Sequence, residues 1–166
     1  KMTEEKTKEL KSRYPNIFPE NFYFENGDGW FGIIDTACAI MQNHIDARKR
    51  YLTYLNDKNR MHDMPEIDQV EALQIKEKYG GLRFYTYGSD DYVRGMVDMA
   101  ESISYRVCEA CGNPGTLLSK GWWRTLCDPC RADDARKKAE WEESYKKSVE
   151  DAKKEKEAKD GGQLEG

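Results

Sequence analysis

Histidine and long apolar stretches are what this chain most clearly lacks. It has two histidines in 166 residues, His44 and His62, and neither has a partner at the spacing of a metal site or a catalytic pair. No apolar run reaches the roughly 18 residues that a membrane-spanning helix needs. The motifs of phosphate-binding loops, zinc proteases and serine hydrolases are missing as well. We therefore expect a cytoplasmic protein that is not an enzyme.

A net positive charge is also absent. The formal net charge is −4 and the isoelectric point is near 5.4, in a chain that is 35% charged and has a mean hydropathy of −0.94. Broad electrostatic binding to nucleic acid needs a basic surface. The composition thus disfavours nucleic acid as the main partner, although it leaves room for a local basic patch.

Cysteine forms the most specific pattern in the sequence, C-x2-C-x15-C-x2-C. Its members are Cys108, Cys111, Cys127 and Cys130. Two Cys-x-x-Cys pairs can complete a tetrahedral Zn²⁺ site, and four thiolates leave no open position, so we expect a structural zinc in a knuckle over 107–131. The alternatives are two disulfides in a secreted domain, or a thioredoxin-like redox pair, which needs only one such motif.

Helical periodicity predicts three helices before the cysteines. A short polar helix covers 3–14, and a long amphipathic helix covers 29–56 with Asp28 as its N-cap. A further helix begins after Ser89, which is its predicted N-cap. We expect an α+β domain over 1–131, in which two core helices pack on a small antiparallel sheet and the zinc knuckle closes the domain.

The sheet is predicted from a β-hairpin over 70–87 with Gly80 and Gly81 as its two turn residues. This register places Lys78 opposite Arg83, and Lys76 opposite Tyr85. By alternation, one face carries Leu73, Ile75, Tyr79, Leu82 and Phe84. The other face carries Lys76, Lys78, Arg83, Tyr85 and Tyr87.

The basic face of this hairpin is the candidate ligand site. Like charges directly opposite each other are destabilising unless an acid or a bound anion lies nearby. Basic and aromatic side chains together are the chemistry that holds nucleotides. The predicted ligand-binding residues are Lys76, Lys78, Arg83, Tyr85 and Trp30. The alternative is a solvated strand face whose charges pair with neighbouring acids.

The C-terminal part is rich in lysine, glutamate and alanine. It predicts a charged helical extension over 132–160 and a flexible tail over 161–166. Trp141, Tyr145 and Val149 recur at helical spacing along it. The extension is either a solvated helix or one whose aromatic stripe contacts the core or a second copy of the chain, which would give a homo-oligomer.

Five motifs in one order support a resemblance over about residues 14–131. They are GDGW (27–30), QIKEKYGGLRFY (74–85), AESIS (100–104), CEACGNPG (108–115) and GWWRTLCDPC (121–130). In these the chain resembles a family of small, uncharacterised zinc-ribbon-like proteins of phages and bacteria. The resemblance implies a phage setting and an accessory or counter-defence role in the host cytoplasm, and it supplies no activity.

These patterns lead to one main functional hypothesis. We expect a non-enzymatic, zinc-stabilised binding protein that sequesters an anionic small molecule, such as a nucleotide signal, or a host protein. A regulatory zinc-ribbon module that binds nucleic acid is the first alternative, and salt-dependent binding would favour it. An enzyme that processes nucleotides is the second, and turnover lost on changing one acid would favour it.

Overall fold

The computed structural model describes residues 1–161 and divides the chain into two compact units, Lys1–Cys127 and Asp128–Gly166. The first unit contains the helices α1 (Glu4–Arg13), α2 (Phe31–Asp57) and α3 (Asp91–Ser104), with a 3-10 turn at Asp28–Trp30. The second unit is the helix α4 (Asp128–Gly161). None of the helices in the described residues is long and apolar enough to cross a membrane.

Two small sheets complete the first unit. Their strands are β1 (Phe24–Glu25), β2 (Glu71–Lys78), β3 (Gly81–Tyr87), β4 (Thr116–Leu118) and β5 (Arg124–Leu126). The larger sheet has the order β1-β2-β3, with β1 parallel to β2 and β2 antiparallel to β3. Strands β4 and β5 form a separate antiparallel hairpin. The α+β fold is confirmed, and the main sheet is mixed rather than purely antiparallel.

The hydrophobic core lies between the helices and the inner face of the β1-β2-β3 sheet. Its fully buried members include Leu10, Ile17, Trp30, Ile34, Met41, Ile45, Ile75, Leu82 and Val93. Full burial of each such side chain contributes about 1.5–3 kcal/mol. The outer face of the sheet is left to solvent, which keeps the polar and aromatic residues of β2 and β3 accessible.

The predicted hairpin exists, but its predicted register is wrong. The two turn residues are Tyr79 (φ +54°) and Gly80 (φ +75°), and Gly81 already pairs with Lys78. Positive φ at both central residues fits a type I′ turn. A Cβ atom on Gly81 would lie 2.3 Å from the ring of Tyr105, so Gly81 is needed for packing rather than for turning.

The corrected register moves every cross-strand partner. Arg83 lies opposite Lys76, not Lys78, and Tyr85 lies opposite Gln74. The basic side chains still share the outer face, because both registers keep the same alternation. A β-bulge between Ala72 and Gln74 turns Leu73 outward, so its predicted place on the inner face is also wrong.

Two predicted helix caps are wrong as well. Asp28 lies in the 3-10 turn, and its carboxylate accepts a hydrogen bond from the backbone N–H of Thr3 at 2.7 Å, whereas Trp30 occupies the N-cap position of α2. Asp90, not Ser89, caps α3 by accepting from the Val93 N–H at 2.9 Å.

Helix α4 begins at Asp128, so the predicted boundary between domain and extension moves about four residues towards the N-terminus. The side chains of Trp141 and Tyr145 are exposed and stack on each other with ring centroids 5.4 Å apart. The flexible tail predicted over 161–166 lies outside the described residues except for Gly161, which ends α4.

Removal of residues 135–166 is expected to leave the first unit folded. Every described side chain from Ala135 to Lys159 is exposed, so their loss removes little buried apolar surface. Thermal melting of the truncated chain should give a midpoint within about 2 °C of the full chain, because the truncation removes little buried area and so changes the free energy of unfolding little. A fall of 10 °C or more, on the order of 2 kcal/mol, would show that the extension supports the core.

Candidate metal centre and adjoining groove

The side chains of the four cysteines in the two Cys-x-x-Cys pairs form one cluster. Their sulfur atoms all lie within 4.8 Å of one another, and the Sγ atoms of Cys111 and Cys127 are 3.6 Å apart. Tetrahedral zinc with Zn–S bonds of about 2.3 Å requires neighbouring sulfurs about 3.8 Å apart. No disulfide joins the five cysteines, all of which lie in the described part of the chain. The cluster can therefore hold a metal ion.

The first Cys-x-x-Cys pair of the knuckle forms a tight turn over 108–112. The N–H of Gly112 donates to the carbonyl of Cys108 at 2.9 Å, and Gly112 has φ +82°, a conformation that glycine adopts without strain. The N–H of Cys108 donates to the carbonyl of Asn113 at 2.7 Å. The knuckle thus closes on itself through its own backbone.

Backbone N–H groups also point at the buried sulfur of Cys108. Burial alone would raise the pKa of this thiol, but N–H donors from Cys127, Cys111 and Ala110 outweigh it and lower the pKa to about 7. Donors aimed at sulfur stabilise the thiolate, which is the form that binds metal. The cluster of four cysteines fits Zn²⁺ in a closed, structural site.

The knuckle is anchored to the loop at Gly27–Trp30, the GDGW motif. The Gly29 N–H donates to the Glu109 carbonyl at 2.7 Å, and the Gly27 N–H donates to the Glu109 carboxylate at 3.0 Å. The indole N–H of Trp30 donates to the Val107 carbonyl at 2.9 Å. Three bonds therefore tie residues preceding α2 to the segment that carries the first two ligands.

The glycines of this motif permit the close approach. A Cβ atom on Gly29 would lie 2.0 Å from the carbonyl oxygen of Cys108, and one on Gly27 would lie 2.4 Å from that of Glu109. Both contacts are with backbone, which cannot move aside cheaply. The glycines are there for packing against the knuckle.

Glu109 is the charged residue at the centre of this contact. Burial raises the pKa of its carboxyl, while the guanidinium of Arg124 and the Gly27 N–H act in the opposite direction. The Arg124 guanidinium lies 3.8 Å from the Glu109 carboxylate. Removing either partner would leave a buried group poorly compensated.

The second hairpin, β4–β5, joins the knuckle to the turn of the first hairpin. The N–H of Glu109 donates to the Thr125 carbonyl at 2.9 Å, and the Thr125 hydroxyl donates to the Gly80 carbonyl at 2.6 Å. Thr125 is fully buried. The cysteine cluster and the Tyr79–Gly80 turn are thereby connected through two hydrogen bonds.

A groove of about 870 Å³ opens where these two hairpins meet. We call it the aromatic groove. It is lined by Lys78, Tyr79, Arg83, Tyr105, Trp122 and Trp123, together with Glu77 and Gly121. Trp122 is 81% exposed, and Trp123 meets Tyr79 edge to face with ring centroids 6.0 Å apart.

Arg83 lies at the side of this groove in a fixed position. Its guanidinium donates hydrogen bonds to the hydroxyl of Tyr105 at 2.9 Å and to the backbone carbonyl of Leu82. The guanidinium also lies 3.8 Å from the Glu101 carboxylate. The hydrogen bond with Tyr105 raises the pKa of the guanidinium. The internal ion pair weakens the prediction that Arg83 requires an outside anion, although part of the group still lines the groove.

The other predicted ligand-binding residues are distributed over three places. Lys78 lines the aromatic groove, with its ammonium 5.5 Å from the ring centroid of Tyr79. Lys76 and Tyr85 lie together on the outer sheet face, with the ammonium 5.6 Å from the Tyr85 ring centroid. The prediction that Trp30 binds the ligand is wrong. Trp30 is fully buried, so it supports the metal knuckle and cannot form part of an exposed ligand face.

Sequence reasoning missed most of the aromatic groove. Trp122 and Trp123 line the groove and are partly or largely exposed. Tyr79, which the predicted register places on the face of Leu82 and Phe84, lies in the turn and lines the groove, and no sequence pattern indicates Tyr105. Two adjacent tryptophans in a glycine-containing loop were the available signal, because such residues are costly to expose without a use.

Comparison of the chain with protein-family models, with curated proteins and with solved structures finds no match. The function must therefore be argued from the metal centre and the groove themselves.

Natively purified protein is expected to carry about one zinc ion per chain, because four clustered thiolates are the ligand set of a structural zinc site. Cys127→Ser should lose the metal and lower the melting temperature, because binding energy at such a site is folding energy. Cys38→Ala is the matched control and should keep the metal, since the buried Cys38 is not part of the cluster. Elemental analysis and melting curves measure both. Far less than one metal ion per chain, or disulfides among the four cysteines, would contradict the assignment.

Gly29→Ala should destabilise the protein by about 3 kcal/mol or more, because the new methyl group collides with backbone at the knuckle. Gly95→Ala is the matched control. Nothing lies within 4 Å of a Cβ atom at Gly95, inside α3, so this change should stabilise by about 0.5–1 kcal/mol. Urea titration measures both variants. Equal stabilities would refute the close approach of knuckle and loop.

Proposed function

We propose that this protein is a metal-stabilised binding module whose aromatic groove takes a planar, anionic ligand of the nucleotide class. The observation that supports this best is the composition of the groove. Four aromatic rings line it beside two cationic side chains, Lys78 and Arg83. Rings stack on a base, and cations meet a phosphate.

The individual side chains divide this work. Trp122 presents an exposed indole face for stacking. Within the described residues, the ammonium group of Lys78 contacts the ring of Tyr79 and forms no salt bridge, so it remains able to meet a phosphate. Arg83 is already oriented by Tyr105, which reduces the entropy lost when the guanidinium binds an anion.

The lining favours binding over chemistry. Glu77 is the acid of the groove, and its carboxylate accepts a hydrogen bond from the Gly80 N–H at 2.7 Å. That bond uses the carboxylate to hold the turn. The remaining lining groups supply positive charge, hydrogen-bond donors and ring faces, which are suited to holding a ligand.

The metal would act through structure. Zn²⁺ bound by four thiolates has a closed coordination sphere and supplies no chemistry to a ligand. It would fix the loop that carries Trp122 and Trp123 relative to the Tyr79–Gly80 turn. In the phage setting that the sequence resemblance implies, such a module could sequester a nucleotide signal of the host.

Trp122→Ala should weaken binding of nucleoside 5′-monophosphates about tenfold, the size of one lost stacking contact. Trp141→Ala is the matched control, since Trp141 is also an exposed tryptophan but lies on α4, outside the groove. Isothermal titration calorimetry with the adenosine, guanosine, cytidine and uridine monophosphates measures the affinities. The melting temperature of both variants should equal that of the parent.

Two results would overturn the proposal. One is that none of the four monophosphates binds the metal-loaded protein at millimolar concentration. The other is that Trp122→Ala and Trp141→Ala bind them equally well.

A further inference from the structure

We propose that the natural ligand is single-stranded nucleic acid, which continues from the aromatic groove onto the outer face of the β1-β2-β3 sheet. This inference rests on the proposed function, because it takes the groove as one end of a longer site. It adds a second stacking position, built around Tyr85.

The strand register brings two aromatic residues into one row. Tyr85 lies opposite Gln74, and Tyr23 comes one residue before Phe24, which pairs with Ile75. Tyr23, Gln74 and Tyr85 accordingly line one depression of about 660 Å³. Both tyrosines are exposed, Tyr23 at 67% and Tyr85 at 42%. Aromatic side chains on an open sheet face are a known platform for unpaired bases.

The next row on the same face is basic. Lys76 lies opposite Arg83, and Lys78 follows two residues later on the same face. Within residues 1–161 the ammonium groups of Lys76 and Lys78 contact tyrosine rings and form no salt bridges. Two acids lie nearby. Glu25 is opposite Lys76 in the strand register, and its carboxylate accepts a hydrogen bond from Gln74 at 2.7 Å, while Glu71 lines the depression that holds Tyr23 and Tyr85. Two cations are thus available between the two aromatic positions.

The spacing of these rows suits an extended strand. Residues along the antiparallel strand β3 rise about 3.4 Å each, so Tyr85 and Arg83 are about 6.8 Å apart along the strand. The aromatic groove begins at Arg83 and continues past the turn to Trp122. A base stacked on Tyr85, phosphates at Lys76 and Lys78, and a base in the groove would therefore follow one another along the face.

The sheet edge argues against a peptide as the occupant. Addition of a peptide strand needs unpaired backbone groups at the edge of a sheet. The outer edge of β3 has two of its N–H groups occupied, because Leu82 donates to Ser104 at 2.8 Å and Phe84 donates to Glu101 at 2.9 Å. The open sheet face, with its cations and rings, instead complements a polyanion with stacked bases.

A negative net charge is compatible with this ligand. Affinity would come from stacking and from about three phosphate contacts, at Lys76, Lys78 and Arg83. The logarithm of the binding constant should then fall with the logarithm of salt concentration with a slope of about −2.1. A protein that bound through a broad basic surface would give a much steeper slope.

The test uses the metal-loaded full chain and a fluorescently labelled, mixed-sequence hexanucleotide, as RNA and as DNA. Fluorescence anisotropy measures its affinity, and calorimetry measures that of the nucleoside monophosphates. Tyr85→Ala should weaken hexanucleotide binding about tenfold and change monophosphate binding less than about twofold, because Tyr85 lies outside the groove. Tyr85→Phe, which keeps the ring, should bind as the parent does.

Tyr51→Ala is the matched control, since Tyr51 is an exposed tyrosine on α2. It should bind both probes as the parent does. The double variant Lys76→Ala/Lys78→Ala should bind the hexanucleotide with a salt slope of about −0.7, because only the phosphate contact at Arg83 remains.

The outcomes separate this inference from the proposed function. If the hexanucleotide binds no more tightly than a monophosphate, or if Tyr85→Ala behaves like Tyr51→Ala, the extended site is refuted while monophosphate binding still supports the groove. If Tyr85→Ala weakens the hexanucleotide and Trp122→Ala weakens neither probe, the sheet face binds nucleic acid and the groove proposal fails.

Discussion

The contact between the cysteine knuckle and the Gly27–Trp30 loop is the constraint on which the rest of the first unit depends. Glu109 accepts two backbone hydrogen bonds from this loop, and the indole of Trp30 adds a third bond at Val107. Trp30 is at the same time a fully buried member of the hydrophobic core. One side chain thus joins the core to the metal-binding segment, so the knuckle is an integral part of the domain rather than an appended ribbon.

The same constraint explains why the groove can be a binding site. One wall comes from the β2–β3 hairpin, whose turn contains Tyr79, and the other comes from the β4–β5 hairpin, whose loop contains Trp122. Thr125 bridges them, since its hydroxyl donates to Gly80 and its carbonyl accepts from Glu109. Metal binding would fix the walls before a ligand arrives. Walls that are ordered beforehand lose less conformational entropy when a ligand binds. A structural metal site that takes no part in chemistry can increase affinity in this way.

Features set by local sequence rules could be predicted, and features set by packing could not. The cysteine spacing identified the four clustered residues, and alternation placed Lys76, Lys78, Arg83 and Tyr85 on one face. The register failed because two glycines follow Tyr79, and nothing local reveals that Gly81 is required by the ring of Tyr105 instead of by the turn. The internal bonds of Arg83 depend on Glu101 and Tyr105, which lie on α3 and directly after it, and strand alternation cannot locate them.

The arrangement of charges at the hairpin shows how a wrong register can still indicate a relevant surface. The argument from Lys78 opposite Arg83 is void, yet Lys76 and Arg83 are opposed in the corrected register, and the like-charge conflict remains. On β3 the Arg83 guanidinium turns towards Glu101 and Tyr105, and on the other side of the pair Glu25 of β1 lies opposite Lys76 in the strand register. The Lys76 ammonium instead lies over the ring of Tyr85, a weaker contact at an exposed site. Within the described residues Lys76 forms no salt bridge, and its ammonium lies over the exposed ring of Tyr85, at the position where the proposed ligand would bind.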